Sequence, residues 1–193
     1  MYEFIKGFVA ELTPTYVVIE TGNIGYAINI SLQTYGHVGQ QQQITLWLHH
    51  IVREDAEQLY GFFEKEERDV FRLLIGVSGV GPNTARMILS SLSSAEVRVA
   101  IQQDDVRKLQ GIKGIGLKTA QRMVIDLKDK IGRTLLSTTT EAQGSYGRHE
   151  EALSALIMLG FSKVPAEKAL QTLLRENAAY STEELIKAAL KQL

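Results

Sequence analysis

No cysteine occurs among the 193 residues. Disulfide scaffolds, thiolate metal sites, iron–sulfur clusters and cysteine nucleophiles are excluded together, and the absence suits a reducing compartment. Long apolar runs are also missing; none approaches the roughly 20 residues that cross a bilayer, so no membrane partner is expected. The opening Met1-Tyr2-Glu3-Phe4-Ile5-Lys6 has no basic segment leading into a long apolar one. It does not read as a signal peptide, and the expected location is cytoplasmic. Net charge is nearly absent as well, at −1 from 21 basic and 22 acidic side chains. What is present is a 45% hydrophobic share, ordinary for a chain that buries a core.

The small net charge hides an uneven distribution. Residues 1–65 carry 3 basic and 7 acidic side chains, residues 66–133 carry 12 and 8, and residues 134–193 carry 6 and 7. A basic middle between acidic ends suits an anionic partner for one part of the chain, although a solvated helical surface gives the same count. Residue pattern follows the same division. Tyr16-Val17-Val18-Ile19, Ile24 to Ile30, Ile44 to Val52 and Leu59 to Phe63 read as strands, and about five short strands within 65 residues suit a small closed barrel. Gly7, Gly22, Gly25, Gly36, Gly39 and Gly61 are placed where such a barrel turns or bends. Trp47 and Tyr60 are expected in its core.

From Glu64 the period becomes helical. Val70, Phe71, Leu73 and Leu74 share one face, Ser93 and Glu96 form a capping box, and Ala120, Met123, Val124, Leu127 and Ile131 form a stripe over 117–131. Leu136 to Gly147 is polar and aperiodic, which predicts a linker. Three short helices follow. Leu153, Leu156, Ile157 and Leu159 are expected to line the first and Gly160 to end it. Pro165 suits the N1 position of the second, and Ser181 caps the third. The expected domains are therefore a barrel over 1–64, a helical domain over 65–134, a flexible linker over 135–147 and a three-helix module over 148–193.

The helical middle contains an internal repeat with a spacing of 35 residues. Leu74 matches Leu109, Gly76 matches Gly111, Gly79-Val80-Gly81 matches Gly114-Ile115-Gly116, and Thr84-Ala85 matches Thr119-Ala120. Each copy reads helix, G-h-x-G-h-G (h apolar), helix. A Gly-h-Gly turn leaves backbone N–H groups bare at the start of the second helix. With the helix dipole, they attract a phosphate that no side chain keeps away. Neither the dinucleotide fingerprint nor the Walker A loop fits, because the third glycine of the first and the Gly-Lys-Ser/Thr of the second are absent.

This repeat resembles the tandem helix-hairpin-helix motif of DNA-binding proteins. Together with Val52-Arg53-Glu54-Asp55-Ala56 and Leu59-Tyr60-Gly61-Phe62, it is similar over essentially the whole chain to the RuvA family of bacterial Holliday-junction branch-migration subunits. The resemblance implies an N-terminal OB-type five-stranded barrel, a central tandem helix-hairpin-helix domain and a C-terminal three-helix, UBA-like bundle. It further implies a homotetramer on four-way junction DNA, the RuvB AAA+ motor as partner of the C-terminal module, and the RuvC resolvase in a larger complex. Carried onto this chain, the DNA-binding residues are Gly79, Val80, Gly81, Asn83, Thr84, Lys113, Gly114, Ile115, Gly116, Lys118, Thr119 and Arg122. Glu54 and Asp55, on residues alone a solvated turn, become an acidic pin. Asn83 and Leu117 stand where many relatives carry a basic residue, which predicts weaker phosphate attraction.

Catalysis has little support in these residues. His49 and His50 are neighbours on a strand and face opposite ways, and His37 and His149 lack ligand partners in sequence, so neither metal nor cofactor is expected. A repair glycosylase or nuclease is the competing class. Asp126 sits on a charged helical face with Lys128, Asp129 and Lys130, and Asp104-Asp105 reads as a helix cap. A non-catalytic DNA-binding subunit is the expected class.

Overall fold

The computed structural model describes residues 2–138, 146–177 and 180–193. The chain divides into two compact units, Met1–Gly132 and Arg133–Leu193. The first opens with strands β1 (Phe4–Leu12), β2 (Tyr16–Thr21), β3 (Ile24–Ile30), β4 (Gln43–Val52) and β5 (Glu57–Phe62), closed into a barrel in the order β1-β2-β3-β5-β4. Neighbours pair antiparallel except β3 and β5, whose parallel pairing, Ile28 opposite Leu59, closes the barrel. Alternation along the strands sends Val17, Ile19, Ile28, Ile30, Leu46 and Leu48 inward, all at most 2% exposed. Gly61 is required where β5 crosses β3, since a Cβ there would meet Ile28 Cγ2 at 2.6 Å.

Helix α1 (Leu32–Val38), between β3 and β4, has no counterpart in the sequence pattern. It forms because Ser31 caps it, accepting from the Thr34 N–H. Gly36, expected at a bend, lies inside this helix. Trp47 also departs from expectation. It is half-buried on the outside of the barrel, edge-on to Phe4 at 6.1 Å, with the Lys65 ammonium and Arg68 guanidinium over its ring at 5.6 and 5.2 Å. Tyr60 is buried, at 1% exposure, but on the outer face of β5, where its ring packs 5.1 Å from Phe71 in the helical core and not inside the barrel.

The helical part of this unit holds α2 (Lys65–Ile75), α3 (Pro82–Ser91), α4 (Ser94–Gln102), α5 (Val106–Gln110) and the start of α6 (Leu117–Thr138). Their apolar stripes meet in one core, from Phe71, Leu74 and Val77 through Ile88, Leu89 and Ile101 to Met123 and Leu127. Ser93 and Glu96 make the expected capping box, and Asp105 caps α5 by accepting from the Lys108 N–H. α6 runs to Thr138, past the point where composition predicted a linker. The middle of that predicted linker, 139–145, lies outside the described residues.

The second unit contains α7 (Tyr146–Met158), α8 (Lys163–Glu176) and α9 (Thr182–Ala189) around Ala152, Leu153, Leu156, Ala166, Leu170, Leu173 and Leu185. Gly160 ends the first of these helices at φ 99°, and Ser181 caps the third in a capping box with Glu184. Two expectations fail here. Ile157 and Leu159 point outward, at 43% and 60% exposure, because the bundle draws on Ala152, Leu153 and Leu156 instead. Pro165 sits at the third helical position, since α8 starts at Lys163 behind Ser162. That place also tolerates proline, because its N–H would have no partner within the helix.

Candidate nucleic-acid interface

The two repeat copies fold into turns of matching geometry. In the first, the Gly76 and Val77 N–H groups close onto Leu73 and Leu74 carbonyls, and the Val80 N–H donates to Val77 O at 3.0 Å. In the second, Gly111 and Ile112 close onto Arg107 and Leu109, and the Ile115 N–H donates to Ile112 O at 3.0 Å. Gly79 and Gly114 carry the reversal at φ 92° and 91°, where a side chain would be strained. Val77, Val80, Ile112 and Ile115 are at most 6% exposed and anchor each turn into the helical core. The apolar letters of the motif thus hold the turn down while the glycines face out.

Gly81 and Gly116 occupy the N-cap positions of α3 and α6, their carbonyls accepting the first intrahelical bonds from Ala85 and Ala120 at 2.9 and 3.0 Å. Gly81 has an ordinary φ of −83°, and a Cβ at either glycine would meet nothing within 4 Å. The space over both first turns is therefore open, and no side chain caps α3. Such bare first turns suit an anion.

The turns are neighbours. A Cβ at Gly79 would lie 3.8 Å from Thr119 Oγ1, and Arg122 Nη1 on α6 donates to Ser78 O in the first turn at 3.3 Å. Of the residues expected to bind DNA, the structure places Gly79, Gly81, Asn83, Lys113, Gly114, Gly116, Lys118 and Arg122 on the exposed surface, with Thr84 and Thr119 half-buried. Val80 and Ile115 are placed otherwise. Their side chains are buried and their N–H groups are committed within the turns, so they act as anchors. Positive charge is one-sided, because Lys113, Lys118 and Arg122 belong to the second hairpin and the span 76–84 of the first holds no Lys or Arg. Leu117 opens α6 at 50% exposure.

Glu54 and Asp55 sit exposed at the tip between β4 and β5, which the Arg53 N–H closes by donating to Ala56 O at 2.8 Å. They belong to the same compact unit as the hairpins. The buried ionisable groups of this unit are structural. Glu67, 4% exposed, accepts from the Ser31 and Thr34 hydroxyls, the latter at 2.8 Å, and burial pushes its carboxyl above the usual range. Arg68, 1% exposed, is paired with Glu3 and ties the segment just before β1 to α2. Burial, then the nearby Arg72 charge, lowers the His49 pKa and keeps the ring neutral. Among the described residues no cluster of His or acidic side chains could hold a metal ion. Sequence reasoning passed over Arg86, whose guanidinium donates to Thr15 O and Asn29 Oδ1 in the barrel. Nothing in its sequence neighbourhood distinguishes it from an ordinary helical arginine.

A closed barrel backed by paired glycine turns at helix starts defines a tandem helix-hairpin-helix protein. Family models place it further: RuvA N terminal domain matches residues 1–61, SAM-like helix-hairpin-helix tandem matches 71–129, and RuvA C-terminal domain matches 147–193. Curated relatives titled Holliday junction branch migration complex subunit RuvA align along the whole of both chains. Those from Christiangramia forsetii, Bacteroides fragilis and Flavobacterium psychrophilum are 48%, 47% and 44% identical, each with 100% of both sequences covered. The chain belongs to the RuvA family.

Proposed function

We propose that this chain is a non-catalytic subunit that binds four-way DNA junctions, holds them open and flat as a homotetramer in the cytoplasm, and presents them to the ATP-driven RuvB motor, with RuvC joining a larger complex. The observation that carries this reading is the pair of matched turns at Gly79–Gly81 and Gly114–Gly116, side by side and unshielded. Backbone N–H groups at helix starts bind phosphates without reading bases, so the pair grips DNA by shape. Lys113, Lys118 and Arg122 supply the charge that draws phosphate to the second turn. Glu54 and Asp55 repel phosphates at the tip, which disfavours an uninterrupted duplex there and favours a branched centre where strands separate. The C-terminal module exposes Ile157, Met158, Leu159 and Val164 at 43%, 86%, 60% and 77% around the α7–α8 corner, an apolar ridge suited to a protein partner. Titration of the full chain with labelled four-way junction and with duplex of equal length tests the reading. Markedly tighter junction binding without strand cleavage is expected; cleavage without a partner, or equal affinity for both DNAs, would overturn it.

A further inference from the structure

We propose that Arg86 is a positioning residue: it locks the first hairpin to the barrel strand that carries the acidic tip, and so sets the preference for junction over duplex. The inference rests on the junction-binding reading above. An arginine two residues after Asn-Thr in a DNA-binding hairpin would ordinarily be read as a phosphate ligand. Here its guanidinium is turned the other way. Nη1 donates to Thr15 O at 2.8 Å and to Asn29 Oδ1 at 3.2 Å, both in the barrel. The Asn29 side-chain amide donates in turn to Leu59 O on β5 at 3.2 Å, so the bond chain from α3 ends on the strand that leads to the tip.

Two further contacts lie on the same side of α3. Asn83 and Ser90 stand three residues before and four after Arg86, which places all three on one helical stripe. The Tyr60 hydroxyl on β5, whose single proton is shared between Gln58 Oε1 at 3.1 Å and Asn83 Oδ1 at 3.4 Å, touches α3 there, and the Leu32 N–H donates to Ser90 Oγ at 3.1 Å. Ala85, Ile88 and Leu89, on the other side, are fully buried in the helical core. α3 is therefore held from both sides. Strand β5 is paired with β4 from Val52 opposite Glu57 through His50 opposite Leu59. At about 3.3 Å per residue, Leu59 lies roughly 13 Å along the ladder from Asp55. Arg86 thus fixes the attractive turn at Gly81 relative to the repulsive tip. A duplex resting on the hairpins needs only the turns. A junction, whose strands must also pass the tip, needs both in register.

The test uses the full chain with Arg86→Gln, Arg86→Lys and Asn29→Ala, each titrated with four-way junction and with duplex at several salt concentrations. Each variant should weaken junction binding roughly tenfold, the scale of one hydrogen bond to a charged group. Duplex affinity and its salt dependence should stay as in the wild type. Arg86→Lys keeps the charge, but its shorter side chain does not bring a donor to the Nη1 position between Thr15 O and Asn29 Oδ1, so it should behave like Arg86→Gln. The double variant Arg86→Gln/Asn29→Ala should be no worse than Arg86→Gln alone, because the two side chains share one bond chain. Equal losses on both DNAs with a flatter salt dependence, restored by lysine, would make Arg86 a phosphate ligand and overturn the proposal. Unchanged junction preference in all variants would overturn it as well. If the Arg86 variants do not fold, Asn29→Ala carries the same comparison. A wild-type chain without junction preference would instead refute the functional reading beneath.

Discussion

At the residue scale, glycines that look alike in sequence divide into two kinds. Gly79 and Gly114 hold positive φ, whereas Gly81 and Gly116 leave open space. Gly79→Val or Gly114→Val should destabilise the fold by about 1–2 kcal/mol, the cost of a left-handed side chain, and lower the melting temperature. Gly81→Val or Gly116→Val should lower the melting temperature less, by the smaller cost of a β-branched residue at a helix N-cap, yet weaken binding to junction and duplex alike, because the new side chain stands where phosphate would approach. A calorimetric melt and a DNA titration on the same preparations separate the two. Glu67 gives a second prediction. Its folded pKa is raised by burial, so its stabilising contribution is fully present below the unfolded carboxylate pKa, near 4.3, and is lost as pH rises through the higher folded value. Relative to Glu67→Gln, the wild type should be most favoured in acid and lose ground toward neutral pH in denaturant melts.

At the scale of elements, the proposed function gives the β4–β5 hairpin and the two helical hairpins opposite electrostatic roles. Glu54→Gln with Asp55→Asn removes two exposed charges per subunit with little change of shape. Duplex binding should strengthen and junction preference shrink, most clearly at low salt where screening is weakest. Lys113, Lys118 and Arg122 all belong to the second hairpin. If its ammonium neutralises one phosphate as proposed, Lys118→Ala should reduce the salt dependence of binding by about one unit of log–log slope, whereas Asn83→Ala should leave that slope unchanged. Asn83→Lys should steepen it. The repeat, the glycines and the acidic pair were all legible in the sequence. The burial of Val80 and Ile115 was not, because a motif letter does not say whether an apolar residue faces ligand or core.

For the whole molecule, the decisive experiment is truncation. The sequence suggests an end near Leu136, but α6 continues to Thr138, so the chain is best cut after that residue. The shortened protein keeps the barrel, both hairpins and their shared core within Met1–Gly132. It should still assemble as a tetramer and bind junctions with near-normal affinity, measured by light scattering and titration, while failing to stimulate RuvB-driven branch migration. Loss of the tetramer or of junction binding would mean that the C-terminal module is structural. In the full-length chain, Met158→Glu should cause the same loss of stimulation, since it places a charge on the exposed apolar ridge without touching the bundle core.

Local chemistry determined what could be read from residues alone. Strand alternation gave the barrel, helical stripes gave the cores, Ser93 and Ser181 marked helix starts, and duplicated glycines marked the turns, because each depends on neighbours within a few positions. Tertiary structure decided the rest. Helix α1 is capped by Ser31, whose hydroxyl is also bound to Glu67, 36 residues away. Trp47 faces out because strand alternation sends Leu46 and Leu48 in, and only the fold brings Arg68 and Lys65 from α2 over its ring. Arg86 faces the barrel because Thr15 and Asn29, 71 and 57 residues earlier, offer it acceptors. Partners that distant are brought together only by the fold, and no periodicity along the chain records them.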